Sequence, residues 1–261
     1  MTIAENINFK AGNQLNISDA DLDLKVYRVF SMQRFVDIYK KKRNGLVHIS
    51  KWDDPFEGFL FKQPVVDTKR NQNISISSVY DSFYGQCWSL NNEESDATWR
   101  IYSASGKDGV RAQTTIRKLW NSFYNPDYPL AITSFFCGKV DYHSESEIRD
   151  HYSNRFSCQD LMRDVDGKIC VDTILTKRNE FRHENEFRLI HYNHESSLLQ
   201  NGVYEYDMEP NDIFERVVFD PRMTNSDYAK FQGELGRNGC LLPIDRSTLY
   251  SIPNLQLKWE Q

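Results

Sequence analysis

The segment from Glu184 to Tyr192 constrains the fold most strongly, because charged and apolar residues alternate along it. Successive side chains of a β-strand point to opposite faces, so a strand here places Glu184, Glu186 and Arg188 on one face. The apolar residues between them lie on the other face, which must pack against a core. The charged face is either solvated, with Glu–Arg pairs, or part of a ligand site.

Other strand-like and helical patterns follow one another irregularly. Strands are predicted over 24–30, 46–50, 84–90, 110–115, 131–142 and 217–219, and helices over 31–43, 226–237 and around 97–102 and 148–156. This order fits an α+β fold with mixed, mainly antiparallel sheets and flanking helices better than a regular βαβ array. Neither GxGxxG nor GxxxxGK[ST] occurs, so a Rossmann or P-loop nucleotide site is not expected.

The length and composition favour one large domain. The 261 residues include 16 Phe, 14 Tyr and 5 Trp, which can fill a sizeable core. We find no internal repeat and no linker rich in Pro, Gly or Ser that would separate two domains. The first 23 residues are polar. We therefore expect a loose N-terminal arm over 1–23 and a single α+β domain over 24–261, with order beginning near Leu24.

Charge and cysteine content limit the environment and the partners. The formal net charge of −5 excludes a strongly basic surface, so contact with nucleic acid needs a local patch. The segments 40–43 and 177–178, with Arg182, are candidates for such a patch. The five cysteines form no CxxC pair, which predicts a reducing, cytoplasmic location. No apolar run approaches the ~18 residues of a membrane span, so no membrane contact is expected.

The carboxylates of Glu184 and Glu186 are the strongest candidates for chemistry. On one strand they would lie about 6.5 Å apart, close enough for repulsion to raise one pKa and for both to hold one ligand. Arg28 is the second candidate, since it lies between Val26 and Phe30 on one face of the first predicted strand. A guanidinium among apolar neighbours needs a carboxylate or a phosphate as its partner.

A serine and two aromatic residues each have a structural and a functional interpretation. Ser89 ends a predicted strand but lacks the GxSxG pattern of a hydrolase nucleophile, so it is either structural or part of a binding site. Trp99 and Tyr102 lie one helical turn apart. They either pack in the core or stack on a flat ring of a ligand.

These residues belong to an ordered set of short motifs between about residues 24 and 190. The motifs are Tyr27-Arg28, Trp52-x-Asp54-Pro55-Phe56-Glu57, Cys87-Trp88-Ser89, Thr98-Trp99-x-x-Tyr102 with Gly109-Val110, Val140-x-Tyr142, and Lys177-x-x-x-Phe181-x-x-Glu184-x-Glu186-x-Arg188. The set resembles the bacterial domain-of-unknown-function family numbered 2971. Two positions depart from the family pattern, because Phe181 stands where Trp is expected and Trp52-Asp53-Asp54 replaces Phe-Asn-Asp. Neither departure removes a candidate catalytic group.

A second resemblance suggests an activity. An Arg on the first strand, a Ser at the end of a middle strand and a Glu-x-Glu on a later strand are similar to the Arg-Ser-Glu arrangement of ADP-ribosyltransferases, which cleave NAD and transfer ADP-ribose. The resemblance implies an ADP-ribosyltransferase-like core that takes NAD as its substrate. Arg28 would hold the NAD phosphates, and Ser89 would brace the catalytic carboxylate or the nicotinamide ribose. Glu186 would stabilise the ribosyl centre as nicotinamide leaves, and Glu184 would orient or deprotonate the acceptor.

The resemblance leaves the acceptor open between RNA, DNA and protein. Because an enzyme that modifies a cellular macromolecule is harmful when uncontrolled, a toxin held by a partner antitoxin or a phage-defence effector is the corresponding hypothesis.

Two other functions compete with this one. A Mg²⁺-dependent nuclease would use the carboxylates of Asp53, Asp54, Glu57, Glu184 and Glu186 as ligands. A non-catalytic interaction domain would tolerate the loss of Glu186 or Arg28. The assignment with NAD needs no metal ion.

Overall fold

The computed structural model describes residues 10–63, 65–67, 70, 72–74, 77–103, 107–155, 164, 166–195, 199–256 and 258. Its strands are β1 (Gln14–Leu15), β2 (Lys25–Ser31), β3 (Arg43–His48), β4 (Val65–Asp67), β5 (Gln72–Ile74), β6 (Phe83–Ser89), β7 (Gly109–Thr115), β8 (Phe135–Lys139), β9 (Asp141–His143), β10 (Thr176–Arg178), β11 (Glu186–Tyr192), β12 (Val203–Asp207), β13 (Arg216–Phe219) and β14 (Ile244–Arg246). Its helices are α1 (Met32–Lys41), α2 (Ser77–Tyr80), α3 (Asp96–Tyr102), α4 (Ile116–Phe123), α5 (Ala131–Ser134), α6 (Glu145–Arg155), α7 (Lys168–Ile174), α8 (Pro210–Ile213) and α9 (Asn225–Arg237).

The described strands form one large sheet and two small ones. The large sheet has ten strands, in the order β1-β8-β11-β6-β2-β7-β13-β14, and β3, which carries β12, also pairs with β6. Its pairs are antiparallel except β1 with β8 and β13 with β14. The small sheets pair β9 with β10 and β4 with β5. The predicted α+β class, with a mainly antiparallel sheet and flanking helices, is confirmed.

The large sheet divides at β6. Only one residue pair in register, Tyr27 with Ser89, joins β2 to β6 among the described residues. The other end of β6 pairs with β3 instead, through Gly85 and Tyr84. Since β2 and β3 both lie on the side of β6 opposite β11, β2 and β6 diverge from Ser89 toward Gly85 and leave an opening between them.

Both faces of the large sheet are covered, as the apolar pattern requires. The larger core cluster includes Phe35 of α1, Trp120 of α4 and Phe187 of β11. The smaller cluster includes Val171 of α7 and Ile190 of β11. Because β11 lies between the two clusters, its charged face is buried and not solvated. No described helix is both long and apolar enough to cross a lipid bilayer.

Two local predictions are corrected by the structure. Glu184 does not begin a strand but ends the 3-10 helix Asn179–Glu184. Asn185 follows with a φ of 45°, a left-handed conformation that interrupts the alternation, so β11 starts at Glu186. Helix α1, predicted over 31–43, ends at Lys41, because Lys42 adopts a left-handed conformation and Arg43 already begins β3.

The described part of the predicted N-terminal arm is packed on the sheet. Residues 14–15 form β1 beside β8, and Leu22 is buried. The buried side chain of Asn13 donates hydrogen bonds to the carbonyls of Ile132 at 2.7 Å and Phe135 at 2.8 Å. The expectation that order begins near Leu24 is therefore wrong for residues 10–23. The division of the chain into an arm and one domain stays a prediction.

We expect Asn13→Ala to lower the free energy of unfolding by about 1–3 kcal/mol, because it leaves two carbonyls without their buried donor. Urea denaturation followed by circular dichroism measures this change. The matched control is Asp19→Asn at an exposed position of the same segment. An equal effect of both variants would contradict the packing of this segment.

Candidate functional site

A cleft of about 550 Å³ lies beside the division of the sheet. This volume is in the usual range of small-molecule sites, about 300–1,000 Å³. The lining includes five of the six residues that the sequence singled out, which are Arg28, Ser89, Tyr102, Glu184 and Glu186. They come from β2, β6, α3, the 3-10 helix before β11, and β11 itself. The chain thus brings together residues up to 158 positions apart, from Arg28 to Glu186.

Arg28 lies in the opening between β2 and β6. One of its terminal nitrogens, Nη1, donates a hydrogen bond to the carbonyl of Cys87 on β6, and the guanidinium lies 5.3 Å from the ring centre of Phe30. Among the described residues no carboxylate is within ion-pair distance of Arg28, and its buried Nε has no hydrogen-bond partner. Burial lowers the pKa of Arg28, but the group remains a cation at neutral pH. The sequence predicted a carboxylate or a phosphate as the partner of Arg28, and the described chain supplies no carboxylate.

Glu186 is held by two cations at the inner end of the cleft. Its Oε2 accepts from Arg188 Nε at 2.7 Å, and its Oε1 accepts from Lys177 Nζ at 2.8 Å. The backbone N–H of Glu186 donates to the hydroxyl of Tyr142 at 3.0 Å. Burial opposes the charged form, but Arg188 and Lys177 outweigh it and hold the pKa of Glu186 well below its usual value. This carboxylate is therefore ionised in a position that still lines the cleft.

Arg188 anchors the cluster behind the cleft. The side chain is 0% exposed, and its planar nitrogens donate to Glu186, to Glu57 Oε1 at 2.5 Å and to the carbonyl of Ile174 at 2.6 Å. The guanidinium also lies 4.5 Å from the ring centre of Trp52. A fully buried arginine is tolerated only with such complete pairing, so these contacts fix the position of Glu186.

Glu184 lies beside Glu186, although it is not on the same strand. Its Oε2 accepts from Lys177 Nζ at 2.6 Å. Burial and the neighbouring Glu186 raise the pKa of Glu184 to about 7. The sequence expected repulsion to raise the pKa of one of these two carboxylates; at Glu184 burial contributes most to the rise, and the neighbouring Glu186 adds to it.

The carboxylates proposed for a magnesium site surround an ammonium group instead. Glu57, Glu184 and Glu186 lie 3.3, 2.6 and 2.8 Å from Lys177 Nζ, which occupies the point where a shared cation would bind. Asp54 lies 3.3 Å from Arg178 and is absent from this group. No set of three or more metal-binding side chains occurs within the described ranges. The ammonium group between the three glutamates counts against the nuclease alternative.

Ser89 is a structural link between the cleft residues. Its hydroxyl donates to the carbonyl of Glu184 at 2.9 Å and accepts from the backbone N–H of Asn91 at 3.1 Å. In register, Ser89 lies between Tyr27 on β2 and Glu186 on β11. Ser89 therefore contacts the main chain of Glu184 and not a carboxylate.

The two aromatic candidates on α3 have different surroundings. Tyr102 is 52% exposed and lines the cleft. Trp99 is 1% exposed, and its ring N–H donates to Glu94 Oε2 at 3.0 Å. A ligand ring in the cleft can reach Tyr102, whereas Trp99 packs in the interior, so the ligand-stacking interpretation of Trp99 is not supported.

Sequence analysis missed two contributors to the site, Lys177 and Arg111. Arg111 lies 3.8 Å from the ring centre of Tyr27 and donates to the carbonyls of Asn91 at 2.9 Å and Asn92 at 2.7 Å, which fixes the loop at the rim of the cleft. Lys177 stood in the motif that carried the family resemblance, at the start of the run ending in Arg188. Its place in that motif was the available signal.

Most side chains of the two basic clusters have partners within the described chain. Lys40, Lys42 and Arg43 pair with Glu234, Glu209 and Asp207. Of the second cluster, Lys177 is buried among carboxylates, Arg178 pairs with Asp54, and Arg182 donates to Tyr142 O and Asn179 Oδ1. These contacts favour the structural interpretation of both clusters over a nucleic-acid groove.

Comparisons with known proteins give a distant structural likeness. No family model matches the chain, and no protein with a curated description matches it, so the resemblance to family 2971 stays a prediction. Three solved structures of DarT from Thermus sp. 2.9 are similar to it. The complex with NAD⁺ has 8% sequence identity and a TM-score of 0.37 and covers 86% of this chain and 96% of that one. The complexes with ADP-ribosylated single-stranded DNA and with carba-NAD⁺ have 9% and 10% identity, TM-scores of 0.36, and coverage of 86% of this chain and 94% and 95% of theirs.

We expect Arg188→Met to lower the free energy of unfolding by about 3–5 kcal/mol, because Glu57 and Glu186 then keep buried charges without their main partner. Arg178→Met is the matched control, since Arg178 is 36% exposed and has a single carboxylate partner at 3.3 Å. Equilibrium urea denaturation measures both. Equal losses would show that the buried cluster does not depend on Arg188.

Proposed function

We propose that this protein is an enzyme, an NAD-dependent mono-ADP-ribosyltransferase that modifies a cellular macromolecule. The observation that carries the proposal is that one cleft contains both a cation without a carboxylate partner in the described chain and a carboxylate held in its charged form. The cation is Arg28 and the carboxylate is Glu186. NAD supplies the complements to both, namely a pyrophosphate and a ribose that becomes cationic when nicotinamide leaves.

Arg28 binds the phosphates in this proposal. A guanidinium offers a planar fork of donors that matches two phosphate oxygens. Nη1 is occupied by the carbonyl of Cys87, which orients the group, while Nε is unpartnered and other donors remain for the ligand. Tyr102, half exposed on the wall formed by α3, is placed to stack on the nicotinamide or adenine ring.

Glu186 acts on the bond that breaks. The glycosidic bond between nicotinamide and C1′ of the ribose cleaves, the bonding electrons leave with nicotinamide, and C1′ becomes an oxocarbenium-like centre. The ionised carboxylate stabilises this positive charge and accepts a hydrogen bond from the ribose 2′-hydroxyl. Lys177 and Arg188 prevent Glu186 from rotating away or becoming protonated.

Glu184 receives the proton of the acceptor. As the acceptor oxygen or nitrogen bonds to C1′, its proton moves to the Glu184 carboxylate, which suits a general base because its pKa of about 7 is near the working pH. Ser89 positions Glu184 through its main-chain carbonyl. Ser89 is thus a positioning residue.

The acceptor is RNA, DNA or protein, and free modification of any of these would harm a cell. We therefore propose control by a partner antitoxin or use as a phage-defence effector, by analogy with the role and not from the site. The proposed setting is the cytoplasm, where both NAD and macromolecular acceptors are present.

The test of the activity is incubation of the purified protein with NAD labelled in its adenylate group and total cell lysate. We expect labelled macromolecules with the wild-type protein and at least about 100-fold less label with Glu186→Gln, which removes the charge that stabilises the ribosyl centre. Digestion of the product with nuclease or protease identifies the acceptor class.

The matched control is Glu180→Gln, at an exposed position of the 3-10 helix before β11. Circular dichroism checks that both variants are folded. Equal labelling by wild type and Glu186→Gln would contradict the proposed role. Absence of both label and free nicotinamide, together with metal-dependent cleavage of nucleic acid, would support the nuclease alternative. Absence of any activity with an added partner chain would support an interaction domain.

We expect Arg28→Ala to weaken NAD binding about 10- to 100-fold, because the phosphates lose their charged hydrogen bonds. Isothermal titration calorimetry with NAD measures the dissociation constant, and Arg117→Ala, an exposed arginine paired with Asp23, is the control. An unchanged affinity in Arg28→Ala would place the phosphates elsewhere.

A further inference from the structure

We propose that Lys177 is a positioning residue that holds both glutamates of the cleft and opposes protonation of Glu184, so that Glu184 exchanges a proton near neutral pH while Glu186 stays charged. This inference rests on the proposed function, which uses the two carboxylates in different roles. It gives Lys177, which the proposed reaction uses only to hold Glu186, a second task at Glu184.

The ammonium group of Lys177 lies among three carboxylates. Lys177 lies on β10, in a small sheet that is separate from the one carrying Glu186. Its side chain is 7% exposed, and Nζ contacts the carboxylates of Glu184, Glu186 and Glu57. Of its three N–H donors, one donates to Glu184 and one to Glu186, while Glu57 lies at ion-pair distance. The ring centre of Phe181 lies 4.8 Å away on a further side.

Lys177 carries a positive charge despite its burial. Burial opposes a charged lysine, but the charges of Glu186 and Glu57 outweigh it and raise its pKa well above the usual value. Lys177 thus remains a cation across the whole range in which proteins are stable. It acts as a fixed charge and not as a proton donor.

The buried cluster contains more carboxylates than cations. Three carboxylates, those of Glu57, Glu184 and Glu186, share two cations, Lys177 and Arg188. Glu57 and Glu186 each contact both cations, whereas Glu184 contacts only Lys177 within the described part of the chain. The cluster therefore carries one surplus negative charge, and a proton is held most readily by Glu184, which has the fewest cationic partners.

Titratable groups from several elements face Glu184. Lys177 approaches from β10, Glu186 from β11 and Tyr102 from α3, while His183 precedes it in the chain. Tyr102 is neutral at physiological pH, since burial and the two glutamates raise its pKa to about 12. Lys177 is thus the cation that opposes protonation of Glu184, and the neighbouring Glu186 favours it. Lys177 opposes protonation of both glutamates, and Arg188 adds a second cation at Glu186, so Glu184 is the one whose proton exchange depends on Lys177.

The experiment compares the wild-type protein with Lys177→Met and Lys177→Arg. Glutamate labelled with ¹³C at the carboxyl carbon reports each titration by NMR, and Glu184→Gln identifies the signal of Glu184. In the wild type we expect Glu184 to titrate with a midpoint of about 7. We expect Lys177→Met to raise this midpoint by at least about one pH unit, because the ion-pair partner of Glu184 is lost.

Lys177→Arg keeps the positive charge, so the midpoint of Glu184 should stay within about half a pH unit of the wild-type value, even if the altered shape slows transfer. Should Lys177→Met not fold, Lys177→Gln, which also removes the charge but keeps hydrogen-bond donors, takes its place. Titration of Glu186 instead of Glu184 near neutral pH would overturn the proposal. An equally raised midpoint in Lys177→Arg would also overturn it.

A second readout is the pH profile of ADP-ribose transfer. A base must be ionised to accept a proton, so transfer should rise with pH through the midpoint of Glu184, and Lys177→Met should displace this rise upward by the same amount as the NMR midpoint. Lys230→Met, at an exposed position of α9, should leave the profile unchanged. If wild-type protein transfers no ADP-ribose but shows the expected NMR shifts, the proposed function fails while the role of Lys177 stands. If it transfers ADP-ribose and the profile does not move, the role of Lys177 fails alone.

Discussion

The buried contacts of Arg188 and Lys177 with three glutamates are the interaction on which the site depends. Taking five charged groups out of water carries a large desolvation cost, which is offset only when each charge has well-placed partners. Those partners come from the loop at Glu57, from β10, and from the segment that leads into β11. The cluster therefore ties three parts of the chain to one point. It also makes the orientation of the cleft carboxylate a property of the whole fold and not of one strand.

Much of the fold could be predicted from periodicity, since apolar residues at strand or helix spacing must be buried. The segments around β2, β7, β13 and α9 follow this rule closely. Local conformation was harder to predict at Glu184, because nothing in the alternation reveals that Asn185 adopts a left-handed conformation. The packing of residues 10–23 was missed because Asn13 binds carbonyls more than 100 positions away in sequence.

The candidate site shows the same division between local and distant information. Sequence reasoning identified Glu186 and Arg28 because a charge on an apolar strand requires a partner wherever the strand lies. It could not separate Tyr102 from Trp99, since one helical turn places both on similar faces and only the packing decides which is exposed. It overlooked Lys177, because a lysine beside an arginine in a polar run looks solvated. Its partners become visible only when β10 is placed next to them.

Among the described residues a single pair in register joins β2 to β6, and this has a mechanical consequence. One half of the sheet carries Arg28 and the other carries Glu186, and Tyr27 with Ser89 is the joint in register between those two strands. A molecule that binds both the arginine and the glutamate adds a second link between the two halves of the sheet. Occupation of the cleft would therefore stiffen the whole sheet, so that the resistance of the protein to heat and to proteases reports on the ligand.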